Sequence, residues 1–291
     1  MTVDIKPQKA LHLHTEQDKK QPKYDGHEYM IFEKHDGWYG YLDFPASTIH
    51  SRAMREIPAL RELSDLIRSR RPNIRGRLIF EIMIDGLEIN SFPTLNGILN
   101  RKFEQAEGVY LRVHDYLHEF RFDMPADKRV QFAYEIVDRL DLPQVDRSAV
   151  LRVSNLPTVW QAEADKVWQA QGEGVILKRS AAPYSPEKRN FDLMKIKEEL
   201  TLDLEVIAMV AGRDIGKYAG TLGALLVRDK ANNVHSVSGM SDDQRDSWWA
   251  NQDLIVGKVV EVKAMKRLKD GSLREPRFKA IRFDKAVSEI D

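Results

Sequence analysis

The sequence predicts an α+β domain followed by a small all-β barrel of the OB type, and two patterns predict it. Up to about residue 197, strand-like and helix-like stretches are interspersed. Beyond it, five short apolar runs separated by glycine-rich or charged turns occupy roughly 90 residues, a spacing that suits a small barrel. The chain has 291 residues, enough for two cores. Its 42% hydrophobic and 31% charged residues are the balance of a globular protein.

Residues 1–25 are polar and lysine-containing and read as a loose basic extension. Tyr29 to Asp43 has a strand-turn-strand pattern, with His35-Asp36-Gly37-Trp38 supplying the turn. Ile57, Leu60, Leu63, Leu66 and Ile67 recur at helical spacing, which predicts a helix with an arginine-studded outer face. RLIFEIMID and GVYLRVHDYL read as strands, PADKRVQFAYEIVDRL as a helix opened by Pro125, and VWQAEADKVWQAQG as a second helix. GEGVILKRS and FDLMKIK close the first domain, residues 26–199. The second, residues 200–291, holds TLDLEVIAMVAG, TLGALLVRD, VHSVSG, LIVGKVVEVKAMKR and RFKAIRFD, and the charged EELTLD stretch (residues 198–203) is the expected hinge.

There is no cysteine, which removes disulfides and thiolate zinc sites. No run approaches ~18 consecutive apolar residues and the N-terminus lacks an apolar signal core, so a cytoplasmic protein with no membrane partner is expected, with a monomer as the default. Net charge is zero, yet arginines crowd Arg52 to Arg77, and Lys258 to Lys285 is similarly basic. Local basic density sets binding to a phosphate backbone, so nucleic acid stays open as a partner beside a plain solvated surface. His12-Leu13-His14 and His114 with His118 have metal-like spacing, but no second organised pair supports zinc. Trp160, Trp168, Trp248 and Trp249 are expected in packing rather than as base-stacking platforms.

The chemistry centres on Lys34-His35-Asp36-Gly37. A free lysine has a pKa near ~10.4 and is a poor nucleophile at neutral pH; other cations or burial make more of it reactive. Lys195 and Lys197 flank Ile196 at the end of a strand pattern, so period-two alternation puts both ammonium groups on one face, able to depress a neighbouring lysine or hold a phosphate. Asp36 is placed to orient the amine, and Gly37 to let the backbone turn tightly beside a ligand. Glu81 and Glu173 sit in apolar strand patterns where a carboxylate needs a partner, and magnesium is the natural one where a triphosphate is attacked.

Taken together, these residues resemble the covalent nucleotidyltransferases, and the chain is similar to small ATP-dependent DNA ligases of the minimal bacteriophage or bacterial type. Lys34-His35-Asp36-Gly37 resembles motif I, Ser51-Arg52 motif Ia, Glu81 motif III and VHDYL motif IIIa. EGVILK from Glu173 to Lys178 resembles motif IV, Met194 to Lys197 motif V, and Arg282-Phe283-Asp284-Lys285 motif VI. GKYAGTLGALLVR, SGMSDDQRDSWW and DGSLREPRF resemble the OB domains of such ligases, so the likeness runs from about residue 29 to 285. It implies a nucleotidyltransferase (adenylation) domain followed by an OB-fold domain. It also implies a three-step reaction in which Lys34 takes AMP from ATP, AMP passes to the 5′-phosphate of nicked double-stranded DNA, and the 3′-hydroxyl displaces it.

By the same likeness, Lys34, Asp36, Glu81, Glu173, Lys195 and Lys197 are the catalytic set. Glu33, Arg52, His114, Arg282, Asp284 and Lys285 join it in holding ATP, and Glu173 and Glu81 hold Mg2+ or Mn2+. Ser51, Arg52, Arg55, Arg101, Lys102, Lys178, Arg274 and Arg277 face DNA, helped by Lys6, Lys9, Lys19, Lys20 and Lys23, and the hinge rotates to bring motif VI over the nucleotide. Two positions depart from the family pattern. Tyr39 stands where an arginine usually contacts the ribose, and His114 where a phenylalanine or tyrosine stacks on adenine. RNA ligases and mRNA-capping guanylyltransferases share motifs I to V, capping enzymes also motif VI, and a non-catalytic OB-type nucleic-acid binder is the reading from another class.

Overall fold

The computed structural model describes residues 6–13, 26–70, 74–86, 91–268 and 270–291. His14, Lys19, Lys20 and Lys23 lie outside them. The chain divides into two compact units, residues 1–197 and 198–291. In the first, the elements run β1 (Lys9–His12), β2 (Tyr29–Glu33), β3 (Trp38–Asp43), β4 (Thr48–Ser51), α1 (Arg61–Arg70), β5 (Arg77–Ile84) and α2 (Ser91–Leu99). They continue through β6 (Val109–Leu117), α3 (Ala126–Leu140), β7 (Val145–Arg147), β8 (Val150–Ser154), α4 (Pro157–Gln169), β9 (Gly174–Arg179) and β10 (Arg189–Lys197).

These strands form two five-stranded sheets, in the orders β1-β10-β9-β2-β8 and β4-β3-β5-β6-β7. β2 and β3 therefore do not form a hairpin: the His35-Asp36-Gly37 segment carries the chain from one sheet to the other. Gly37 is needed for close approach to β5, not for a turn beside a ligand, since a Cβ there would meet Met83 Sδ at 2.6 Å and the Ile82 carbonyl at 2.7 Å. Lys9–His12, expected in a loose extension, is an edge strand parallel to β10, because its backbone groups find that sheet's open edge.

Alternation explains the layering. In β5, Phe80 and Ile82 enter the main apolar core while Ile79 and Glu81 face a pocket; in β9, Val175 and Leu177 pack with Tyr29, Ile31 and Trp160 while Ile176 and Lys178 face that pocket. Trp160 of α4 is fully buried and donates its Nε1–H to the Ser154 carbonyl at 3.0 Å, which is packing rather than base stacking.

The second unit contains β11 (Leu200–Ala211), β12 (Leu222–Arg228), β13 (Val234–Val237), α5 (Asp242–Ala250), β14 (Val259–Ala264), β15 (Lys266–Arg267), β16 (Leu273–Arg274) and β17 (Arg277–Ile281). The expected barrel is an open five-stranded sheet, β13-β12-β11-β14-β17. Its edge strands meet at the single bridge Ser238–Arg277, where the Phe278 N–H donates to the Ser238 carbonyl at 2.8 Å. β13 spans only Val234–Val237, too short for a closing ladder. The expected hinge is also shorter: β11 begins at Leu200, so residues 200–203 are paired with β14 and only 198–199 connect the strands. α5 opens with a capping box, Ser241 Oγ accepting from the Gln244 N–H while Gln244 accepts from the Ser241 N–H.

Gly174 fixes the start of β9, with φ +140° and space for a Cβ only 2.1 Å from the Ile196 carbonyl. Gly174→Ala is expected to destabilise the first unit by about 1–3 kcal/mol in urea denaturation, through strain and clash. An unchanged midpoint would contradict this account of the β9 start.

Candidate active site

A pocket of about 260 Å³ is lined from both sheets of the first unit, by Phe32, Ile176 and Lys195 on one side and Tyr39, Glu81 and His114 on the other. Lys34 stands where β2 ends and the chain crosses between the sheets. Its N–H donates to the Gly174 carbonyl at 2.8 Å, and its Nζ donates to Glu173 Oε2 at 2.6 Å. Glu173 is thus a carboxylate in contact with the amine, a neighbour that the expectation for Asp36 did not include. Glu173 is itself placed by its backbone, because its carbonyl accepts from Trp168 Nε1 at 3.2 Å.

Lys195 lines the pocket while Met194 and Ile196, its neighbours on β10, enter the apolar core. Lys197 lies on the face of Lys195 by the same alternation. Burial first, then Lys197 and Lys34, lowers the Lys195 pKa to about 8. Glu81 moves the opposite way, up to about 7, because burial disfavours its charge and Glu173 and Asp36 add like charge against the opposing pull of Lys34 and Arg52. Glu33 and Lys34 line the same pocket, and so does Arg52.

Tyr39 occupies the position where the resemblance expects an arginine. The Arg52 guanidinium lies over the Tyr39 ring, 4.5 Å from its centroid, so motif Ia returns a cation to this wall. His35 meets Ser148 Oγ at 3.0 Å through Nε2. Burial holds the pKa of His35 down at about 4 and that of His114 at about 3, with Arg112 and Lys178 respectively reinforcing the effect.

Lys178, expected on a DNA-facing surface, is buried at 5% exposure. It shares the β9 face of Ile176, so its side chain points into the pocket wall rather than to solvent. There it donates to Asp115 Oδ2 at 2.8 Å, and Arg129 grips the same carboxylate through Nε at 3.0 Å and Nη2 at 3.2 Å. Two cations hold the Asp115 carboxyl well below the usual range despite its burial. The sequence reading missed Asp115 and Arg129. A signal for Arg129 was present, since it occupies a slot on the buried stripe of α3 with Val130, Ala133 and Ile136.

Of the expected DNA contacts in this unit, Arg52, Arg55, Arg101 and Lys102 are exposed and Ser51 is half-buried; Arg101 is paired with Glu104 at 2.7 Å. In the second unit Arg274 is half-buried and Arg277 exposed. Arg282 there spans Asp203 and Asp284, and Lys285 also meets Asp203. Among the described residues no group of three or more His, Asp or Glu side chains is placed to hold a metal ion, and no helix is long and apolar enough to cross a membrane.

The two histidines give the first unit a pH signature. Each is neutral when folded well below its unfolded pKa of about 6.5, so its contribution is complete above that pH and is lost as pH falls toward about 4 for His35 and about 3 for His114. Urea denaturation from pH 7 to pH 4 should show stability falling, less steeply in His114→Phe; parallel profiles would contradict the assignment.

Residues 215–282 match the DNA ligase OB-like domain family. A DNA ligase of Methanospirillum hungatei is 32% identical over 201 residues, 60% of this chain and 35% of that protein. A DNA ligase of Halobacterium salinarum is 26% identical over 316 residues, 91% of this chain and 54% of that protein. The chain thus spans about a third to a half of the length of these relatives. Among solved structures, one from a structure-function study of Lig E DNA ligases superposes with a TM-score of 0.72 at 21% identity, covering 95% of this chain and 99% of that one. The ATP-dependent DNA ligase of bacteriophage T7, in complex with ATP, gives 0.54 at 19% identity, covering 97% of this chain and 100% of that one. The likeness read from the motifs is thereby upheld: the chain resembles the ATP-dependent DNA ligases, has their fold, and carries a DNA ligase OB-like domain at residues 215–282.

Proposed function

We propose that this chain is an ATP-dependent DNA ligase that acts as a monomer and seals 5′-phosphate/3′-hydroxyl nicks in duplex DNA through a lysyl-AMP intermediate. The observation that carries this reading is Lys34 itself, a lysine in the wall of a pocket lined from both sheets, 2.6 Å from a carboxylate and close enough to Lys195 for its charge to be felt there.

In the first step Lys34 Nζ forms a bond to the α-phosphorus of ATP and the bond to the β-phosphate oxygen breaks, releasing pyrophosphate. Glu173 orients the amine. Lys195 and Lys197 offer positive charge to the α-phosphate, where charge gathers as the bond order changes. Arg52 and Glu81 lie on the wall where a sugar or phosphate oxygen would be met. The adenylyl group then moves to the 5′-phosphate of the nick, and the 3′-hydroxyl displaces AMP. Covalent capture divides one difficult condensation into displacements of similar kind.

The carboxylates of Glu81 and Glu173 fit a divalent cation. The Glu173 carboxylate adds to the cost of ionising the buried Glu81, and a cation beside them would relieve that cost. Mg2+ or Mn2+ bound there would neutralise charge on the phosphates being attacked. The exposed Arg55, Arg101 and Lys102, with Arg277 in the second unit, would meet the DNA backbone, and Arg282, Asp284 and Lys285 the pyrophosphate.

Sealing of a nicked duplex, with ATP or with a pre-adenylated strand, tests the reading. Lys34→Ala should lose roughly 1,000-fold or more of ATP-driven sealing while retaining closure of the pre-adenylated nick, because the amine is needed only until AMP has been handed on. Equal loss in both assays, or none in the first, would refute it.

A further inference from the structure

The second unit gathers the two cations of motif VI around one carboxylate that lies outside the motifs. Asp203 stands on β11, opposite Glu261 of β14, and β14 in turn pairs with β17. Arg282 follows the last residue of β17 and reaches back across β14. Its Nη1 donates to Asp203 Oδ1 at 3.0 Å and to Oδ2 at 2.9 Å, and lies 3.9 Å from Glu261 Oε2. Lys285 Nζ donates to the same Asp203 Oδ2. Two positive charges thus converge on one oxygen, an arrangement their mutual repulsion opposes without the carboxylate between them.

Asp203 is fixed where it stands. Its side chain is only 8% exposed, its N–H donates to Asp291 Oδ2 at 2.7 Å, and its carbonyl accepts from the Asp291 N–H at 3.0 Å. Asp284 is the contrasting partner. It accepts from the Nε and Nη2 edge of Arg282 at 2.9 and 2.8 Å, but its side chain is 66% exposed. An exposed pair is weak and exchanges readily, whereas a buried carboxylate that binds two cations loses much by releasing either. Arg282 is therefore gripped from the sheet at one end and open to exchange at the other. Stability alone does not call for this, since a buried ion cluster contributes little over apolar side chains of the same volume.

We propose that Asp203 is a positioning residue for formation of the lysyl adenylate: from the sheet side it holds Arg282 and Lys285 next to each other, leaving the Nε and Nη2 edge of Arg282 for the pyrophosphate portion of ATP. This rests on the reading of Arg282 and Lys285 as the pyrophosphate contacts. Asp203 itself acts only through the two cations.

The test compares, in the full chain, formation of the covalent adduct from ATP with closure of a pre-adenylated nick, which releases no pyrophosphate. Asp203→Asn keeps the shape of the side chain and removes its charge. Its kcat/KM for adduct formation should fall about 10- to 100-fold, while closure of the pre-adenylated nick stays at the wild-type rate. Asp203→Glu keeps the charge but shifts both cations by a methylene, so its loss should be smaller and confined to the same assay; it carries the test if Asp203→Asn does not fold. Introduced into Arg282→Ala, Asp203→Asn should cost less than it does alone, because one of the groups it acts through is gone. Adduct formation unchanged in both Asp203 variants would overturn the proposal. So would equal losses in the two assays, which mark a structural role, or a loss undiminished in the Arg282→Ala background. If Arg282→Ala by itself forms the adduct at the wild-type rate, the reading of motif VI falls instead, a result distinct from the other three.

Discussion

The site depends on the crossing of the chain between two sheets at Lys34. β2 pairs with β9 in one sheet and β3 pairs with β5 in the other, so the residue leaving β2 stands at the rim of the space between them. The backbone bond from Lys34 to Gly174 locks that residue to the head of β9, beside Glu173. One backbone contact therefore helps set the distance between the Lys34 amine and the Glu173 carboxylate. Gly37 allows the chain to run on into β3 against Met83, and Gly174 accepts a conformation that other residues rarely adopt.

Around this crossing the charges are arranged in opposed groups. Glu81 and Glu173 lie near Lys34, and Lys197 and Lys34 supply positive charge that, after burial, lowers the pKa of Lys195. Deeper in the wall, Asp115 binds Arg129 and Lys178 in a fully buried network that joins α3 on one side to β9 on the other. Breaking such a network by removing one partner leaves a bare charge, which is why it fixes the relative position of its elements. The pocket is thus built on strands, with its polar groups held by neighbours before any ligand arrives.

Much of this was legible in the sequence because it rests on short-range periodicity. Alternation in RLIFEIMI and GVILKRS set Glu81 and Lys178 on faces opposite their apolar neighbours, and helical spacing marked α1 and α3. What was not legible required long-range pairing. The step from β2 to β3 resembles a hairpin locally, and only sheet assignment shows that the strands part company. Lys178 reads as a surface lysine until Asp115 is brought to it by β6. The barrel that the strand count suggested remains open because β13 is too short to pair along its edge. The family likeness suggested roles for Lys34, Glu173 and Lys195, and the geometry adds that the Arg52 guanidinium stacks over Tyr39, the residue that stands where an arginine was expected.

The most direct measurement is a mass and peptide map of the purified protein after exposure to ATP and magnesium. A single adenylyl addition carried by Lys34, released when pyrophosphate is supplied, is what the account predicts. An unmodified Lys34, or adenylate attached to another side chain, would contradict it.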